Sequence, residues 1–332
     1  MNKENDELVD ARGGWAPGKL EFKPLFSWPP KPIELVKWLF NYPDGFIFPW
    51  AAIHFSLALI SYIFFLPSFD RLSTFSLDWI LVILFRNLII LFIYTSLWHW
   101  YLHIREGQGD KYRYNLRKLG KGKKWFFGTQ TRENMFFSLC SAVPIQTFYE
   151  SLMLWCFANE YTLFPIKDFL ESPFIIGYCI LLLIFIPILQ HIHFYLIHRL
   201  IHFKPLYNRI HYFHHKNVNV GPWSGLSMHP IEHILYISTI LIHFFVPSHP
   251  IHFVYQGMHT MLGAQKGHSG YERLVIDSKT GKSIPSAGYF HYLHHKYFEC
   301  NYGELTSPLD KWFGSFHDGT KKAHFKIFRK IN

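Results

Sequence analysis

The sequence predicts an all-α integral membrane protein, with about four transmembrane helices, a re-entrant or interfacial hairpin, and a cytosolic helical cap built around a histidine-rich site. Three observations predict it. Apolar stretches near the roughly 20 residues that a helix needs to cross a bilayer recur along the chain. Basic residues gather in loops on one side of those stretches. Between Gln190 and Lys296, histidines recur at helical spacings that put several imidazoles on one face.

Charged residues are 17% of the 332-residue chain, below the usual quarter or so, while hydrophobic residues are 49%. That balance, with long apolar runs, places the chain in a membrane. A net charge of +10 would raise nucleic acid as a partner for a soluble protein. Here the basic residues flank apolar segments and no groove-reading module is present, so nucleic acid is excluded. Cys140, Cys156, Cys179 and Cys300 are scattered, without a metal-binding or redox pair, and read as unpaired core residues. The polar, acidic start of residues 1–7 is not a signal peptide.

Residues 1–45 form a polar lead-in. The prolines of Trp28-Pro29-Pro30-Lys31-Pro32 forbid a helix there, and 33–40 predicts a short amphipathic helix at the membrane surface. Residues 46–190 hold the transmembrane helices. Apolar stretches 46–66 and 77–100 are each long enough to span, and Arg86, inside the second, must face protein or water. A basic loop follows at 101–134. Stretch 135–157 is less apolar, and its Pro144, Gln146 and Glu150 require packing partners. The most apolar stretch, 173–189, runs directly into the first histidine run. Residues 191–316 form the histidine-bearing domain. Its two short apolar segments, 234–246 and 251–262, are joined by Pro247-Ser248-His249-Pro250 and predict the membrane hairpin over 234–262. Residues 271–288 contain a surface turn at Asp277–Gly281, and 317–332 is a basic tail.

The 101–134 loop is strongly basic, whereas 67–76 holds one Arg and 161–172 sets Lys167 against Asp168 and Glu171. Placing the basic loop in the cytoplasm puts both termini and every histidine run on that side.

The runs are His198 with His202; His211, His214 and His215; His229 with His233; and His291, His294 and His295. His268 stands alone between glycines, in Gly267-His268-Ser269-Gly270. Such crowding is unfavourable once the rings protonate, unless a cation organises them. One metal ion takes about four to six ligands. These eleven histidines therefore predict a dimetal site. His191, His193 and His259 lie near the runs as further ligands or as neighbours that orient ligands. Glu232, between His229 and His233, predicts a residue that orients a ligand or moves protons, with a simple ion pair as the alternative. His99 and His103 share the four-residue spacing without local support and read as structural or interfacial. His54, His243, His249, His252, His317 and His324 read as ordinary hydrogen-bonded residues.

These residues resemble the fatty acid hydroxylase / sterol desaturase superfamily of membrane di-iron enzymes. Its H-x3-H, H-x2-H-H and final H-x2-H-H runs are matched by His198–His202, His211–His215 and His291–His295. Further matching words are Tyr195 to Arg199, His229 to Glu232, His268 to Tyr271, Asn301-Tyr302-Gly303 and Leu309 to Gly314. The resemblance covers 175–316 and is greatest to the sterol C5-desaturase-type branch. His191 departs from it, standing where the family usually has an acidic residue.

The resemblance implies two non-haem iron ions, O2 as co-substrate, and oxidation of an unactivated C–H position of a membrane lipid to an alcohol or a double bond. Imidazole alone does not name the metal. A fatty acyl or other lipid hydroxylase of the same superfamily is the alternative. The chain has no dinucleotide-binding, haem-attachment or iron–sulfur motif, so the electron donor is a separate protein of cytochrome b5, ferredoxin or flavin reductase type. A histidine-rich membrane haem or metal carrier is a rival of another class. Haem carriage needs histidines on facing spans, and metal transport needs polar residues along several spans, where only Arg86, Gln146 and Glu150 qualify. The location implied is the endoplasmic reticulum in a eukaryote, where Arg329-Lys330 resembles a retrieval signal, or the inner membrane in a bacterium.

Overall fold

The computed structural model describes residues 14–320 together with Lys322 and Ala323. The acidic start, His324, and the pair Arg329 and Lys330 lie outside the described residues.

Helix α1 (Pro32–Phe40) begins on a proline, as the first turn of a helix tolerates. It leaves Ile33, Val36 and Phe40 exposed. Two spans follow: Ile47–Phe65, whose regular part is α2 (Ala52–Phe65), and Leu77–Ile104, which contains α3 (Leu77–His99). Helix α4 (Gln130–Phe137) is capped by Thr129, which accepts from the Arg132 N–H, and leads through a π-helical turn into α5 (Val143–Ala158). Helix α6 (Pro173–Ile201) has 29 residues, is capped by Ser172, and starts on Pro173. At 1.5 Å per residue it is about 43 Å long, more than two turns beyond a hydrocarbon core of about 30 Å. Its last turns therefore carry His198 and Arg199 past the apolar region while staying helical.

Three helices are long and apolar enough to cross a membrane, among the described residues, where the sequence predicts about four. The difference lies at 135–157, where polar groups interrupt the apolar surface. Those groups face α3. Arg86 donates to Glu150 at 2.5 Å, and Asn87 donates to Thr147 and Glu150, each at 3.2 Å. Both Arg86 and Glu150 are buried, so the pair compensates a charge that the bilayer would reject. Gln146 packs on a glycine of the hairpin; a Cβ placed on Gly257 would lie 2.1 Å from its Nε2.

The hairpin descends through α8 (Pro230–Ile237), with α7 (Tyr212–His215) preceding it, and through the 3-10 segment Ser238–Phe244. It returns as α9 (Pro250–Gly267). Its tip reaches the end of the bundle opposite the histidine runs. There the Leu163 and Ile166 N–H groups donate to Phe244 O and Ser248 O, each at 3.0 Å, and Tyr178 OH donates to Pro247 O at 2.9 Å. Helix α9 lies inside the bundle, against α2, α3, α5 and α6. An interfacial position is thus replaced by a buried one.

The all-α expectation is corrected at one place. Strands β1 (Arg273–Asp277) and β2 (Lys282–Pro285) pair antiparallel around the expected turn, where Gly281 adopts φ +72°. Helix α10 (Tyr289–Tyr297) follows. The lead-in lies against this cap: Trp15 N–H donates to Arg113 O, Leu20 N–H to Asp318 O, and Lys23 N–H to Leu305 O, at 2.7 to 3.0 Å. All four cysteines are free, and Cys156, Cys179 and Cys300 are buried.

Candidate metal centre

Two groups of imidazoles form where the ends of α6, α7, α9 and α10 meet. His198, His202, His211, His215 and His294 make one, and His214, His268, His291 and His295 the other. Within each group the ligand atoms lie within 4.8 Å of one another, and all nine side chains are buried except that of half-buried His202. The two H-x2-H-H runs interleave. His211 and His215, one turn apart, serve the first group while His214 between them serves the second. His291 and His295 serve the second group while His294 serves the first.

A close backbone approach makes this convergence possible. Gly288, at the start of α10, packs on the end of α9 so tightly that a Cβ there would lie 2.2 Å from Gly267 O. His268 and His291 are thereby set with their Nε2 atoms 3.1 Å apart.

The donor set fits a metal. His198 and His294 donate from Nδ1 to Tyr302 O and Cys300 O, both at 2.6 Å, and His268 donates to Ala264 O at 2.8 Å. A carbonyl only accepts, so each Nδ1 carries the proton and each Nε2 presents a bare lone pair. His211 is oriented in the same way by Glu232 Oε1, at 2.8 Å. Yet the Nε2 atoms of His198 and His211 are 3.1 Å apart, and that of His268 is 3.0 and 3.1 Å from those of His295 and His291. Between His198 and His211, both engaged through Nδ1, lone pairs held this close repel unless a cation sits among them. Burial, and then the neighbouring rings, hold His211, His215, His291 and His294 well below the ordinary histidine range, in the neutral form that a metal requires. Burial likewise pushes the Glu232 carboxyl well above the usual carboxylate range.

Not every predicted ligand joins these groups. His233 donates from Nε2 to Leu226 O at 3.1 Å and lies 2.9 Å from Ser141 Oγ through Nδ1, so both nitrogens are engaged. His229 caps α8, its Nδ1 accepting from the Ile231 N–H at 3.2 Å. His191 lies 2.6 Å from Thr306 Oγ1, His193 is 3.2 Å from Ser238 Oγ, and His259 Nδ1 is 3.2 Å from His54 Nδ1. His103 bonds Ser269 O at 2.9 Å and stacks on His99.

The word Asn301-Tyr302-Gly303 has a geometric role. Asp310 accepts from the Tyr302 and Gly303 N–H groups at 2.9 and 2.8 Å, which fixes the loop whose carbonyl orients His198. Arg199 lies over the rings of Tyr195, Tyr302 and Phe313 beside this loop.

A cavity of about 530 Å3 opens onto both groups, touching His198, His211, His214, His268 and His291. Phe194, Ile197, Met228 and Tyr236 supply apolar wall. Sequence reasoning missed Lys266, Glu272 and Glu304 in its lining, as well as Lys19, Leu20, Glu21 and Lys23 of the lead-in. The available signal was adjacency, since Lys266 and Glu304 flank the His268 and Tyr302 words.

Residues 182–315 match the fatty acid hydroxylase family. The match covers 134 of the chain's 332 residues. It coincides with the region in which the motif order carries the resemblance, and it contains every histidine of the two groups. The chain is also similar to proteins named as sterol desaturases. The chain is 30% identical over 124 residues to a Delta(7)-sterol 5(6)-desaturase of Gibberella zeae, covering 36% of this chain and 37% of that protein. It is 30% identical over 131 residues to the Delta(7)-sterol-C5(6)-desaturase of Nicotiana tabacum, covering 37% and 45%. It is 28% identical over 123 residues to the Delta(7)-sterol 5(6)-desaturase of Saccharomyces cerevisiae, covering 37% and 32%. The matched region thus spans less than half the length of each of these relatives. No solved structure matches the chain.

Proposed function

We propose that this chain is an O2-dependent membrane oxidoreductase that desaturates or hydroxylates an unactivated C–H position of a lipid, a sterol in the first place. The observation that carries the proposal is the pair of interleaved, buried imidazole groups, both of which contribute rings to the wall of one cavity. His198, His202, His211, His215 and His294 would hold one iron, and His214, His268, His291 and His295 the other. Together the two irons supply the redox chemistry that activates O2, which zinc would not. Desaturation takes two hydrogens from adjacent carbons with O2, two electrons and two protons, and releases two waters. Hydroxylation uses the same inputs and leaves one oxygen on carbon and one in water.

The protein's part is to position and to exclude. Carbonyls of Tyr302, Cys300 and Ala264 fix three rings, and Glu232 fixes His211. The apolar wall around Phe194 and Met228 keeps water from the reacting carbon. Electrons come from a separate protein of cytochrome b5, ferredoxin or flavin reductase type. The histidine cap faces the cytosol, on the endoplasmic reticulum of a eukaryote or the inner membrane of a bacterium, with about four spans and the buried hairpin below it. The names of the relatives favour a sterol; a fatty acyl or other lipid hydroxylase is the second reading.

Metal analysis of the purified protein, with O2 consumption measured with reductant and a Δ7-sterol, tests the proposal. Two irons per chain and sterol-dependent O2 uptake are expected. Zinc alone, a haem Soret band, or no uptake with any lipid would overturn it. Lipid mass spectrometry of cells with and without the gene separates alkene from alcohol.

A further inference from the structure

The cavity that meets the histidine groups has a second polar wall. It is made by His54 of α2, His191 of α6, His259 and Lys266 of α9, Glu272 at the foot of β1, and Glu304 in the loop after α10. Oxidising a hydrocarbon needs none of these groups, and burying charge beside an apolar ligand is costly. Their bonding is incomplete. Lys266 Nζ donates to Ser286 O at 2.7 Å, and among the described residues no carboxylate is in ion-pair contact with it. The Glu304 carboxyl faces the cavity with no hydrogen-bond partner among the described residues. Lys266 and Glu304 attract each other without touching. Glu272, in contrast, is held by Tyr114 OH at 2.6 Å and the Tyr289 N–H at 3.2 Å.

We propose that this wall recognises an uncharged hydroxyl group of the lipid, with Lys266 donating to its oxygen and Glu304 accepting its hydrogen. The charge balance selects that chemistry. A phosphate or carboxylate would meet Glu272 and Glu304, and a quaternary or primary amine would meet Lys266. Imidazoles are uncharged at neutral pH at their ordinary pKa and favour neither. A hydroxyl both donates and accepts, and so meets a remaining Lys266 N–H and the Glu304 carboxyl at once. The wall then sets which end of the lipid enters first and which carbon reaches the histidines. This assignment rests on the cavity being the lipid site.

The test is binding to the full-length, iron-loaded protein in nanodiscs, with a radiolabelled Δ7-sterol displaced by the unlabelled alcohol or by its 3-methyl ether. The wild type should prefer the alcohol by about tenfold or more, as expected when an analogue leaves a buried charged partner unmet. Glu304→Gln and Lys266→Met should each reduce that preference below about threefold with iron content unchanged. Glu304→Gln is isosteric and lies outside the histidine runs, so it stays informative if Lys266→Met misfolds. Equal affinity for alcohol and ether in the wild type, or an unchanged preference in Glu304→Gln, would sink the hydroxyl assignment alone. Absence of binding by either sterol would sink the sterol reading, and this assignment with it.

Discussion

His214 and His294 are exchanged between the two histidine runs: each sits in the group that the other run dominates. The fourth position of H-x2-H in each run points to one side, while the i, i+4 pair around it points to the other. Loss of either ring therefore strikes the centre opposite its own run. His294→Ala leaves four imidazoles in its group, whereas His214→Ala leaves three. Four ligands complete a metal site and three leave it open. Both variants should insert normally and lose activity, with the larger loss of bound iron in His214→Ala. Iron per chain, measured by mass spectrometry, checks this; equal iron content in both would contradict the exchange.

His233 gives the converse case. Its two nitrogens are engaged by Leu226 O and Ser141 Oγ, so His233→Ala should keep full iron content. It should lower stability by about 1–3 kcal/mol, the cost of unmet buried polar groups. Thermal unfolding alongside metal analysis separates the two effects, and a variant that lost one iron would make His233 a ligand.

Asp310 acts at one remove. Asp310→Ala frees the Tyr302 and Gly303 N–H groups, and with them the carbonyl that orients His198. Supporting bonds of this kind are worth about 10–100-fold in metal affinity. Iron should dissociate correspondingly faster into a chelator, with Asp310→Asn intermediate. An unchanged rate would reduce Asp310 to a simple loop anchor.

Glu304 gives a pH signature. Burial raises its carboxyl from the ordinary 4.5 to about 7, against the pull of Lys266. The unfolded chain ionises first, so the stability this group contributes is present below pH 4.5 and is lost as pH rises through 7. Glu304→Gln, which cannot ionise, should melt higher than wild type at pH 8, with the gap closing toward pH 5. A gap that widens on acidification would reverse the sign.

The nine clustered histidines were legible because i, i+3 and i, i+4 spacing is local helical geometry, and the spans because length and apolarity are. How rings divide between the two groups depends on how α6, α7 and α10 cross, which no local pattern records. His229 and His233 show the limit of spacing. His229 is a helix cap with extended backbone, ψ 145°, so the pair does not share a helical face. The hairpin reads as short and marginal because it is roofed by other helices and needs no lipid-facing length of its own. Lys266 and Glu304 are single charges in unpatterned loops or helix ends; only the cavity makes them neighbours.

The lead-in that crosses the cap bonds to Leu305 and Asp318, so the roof of the reaction chamber joins segments far apart in the sequence. Residues 20–23 cannot dock there until the segment at 305–318 has been made. A chain ending before residue 300 would therefore carry all nine clustered histidines without Glu304 and Leu305, which complete the cavity wall.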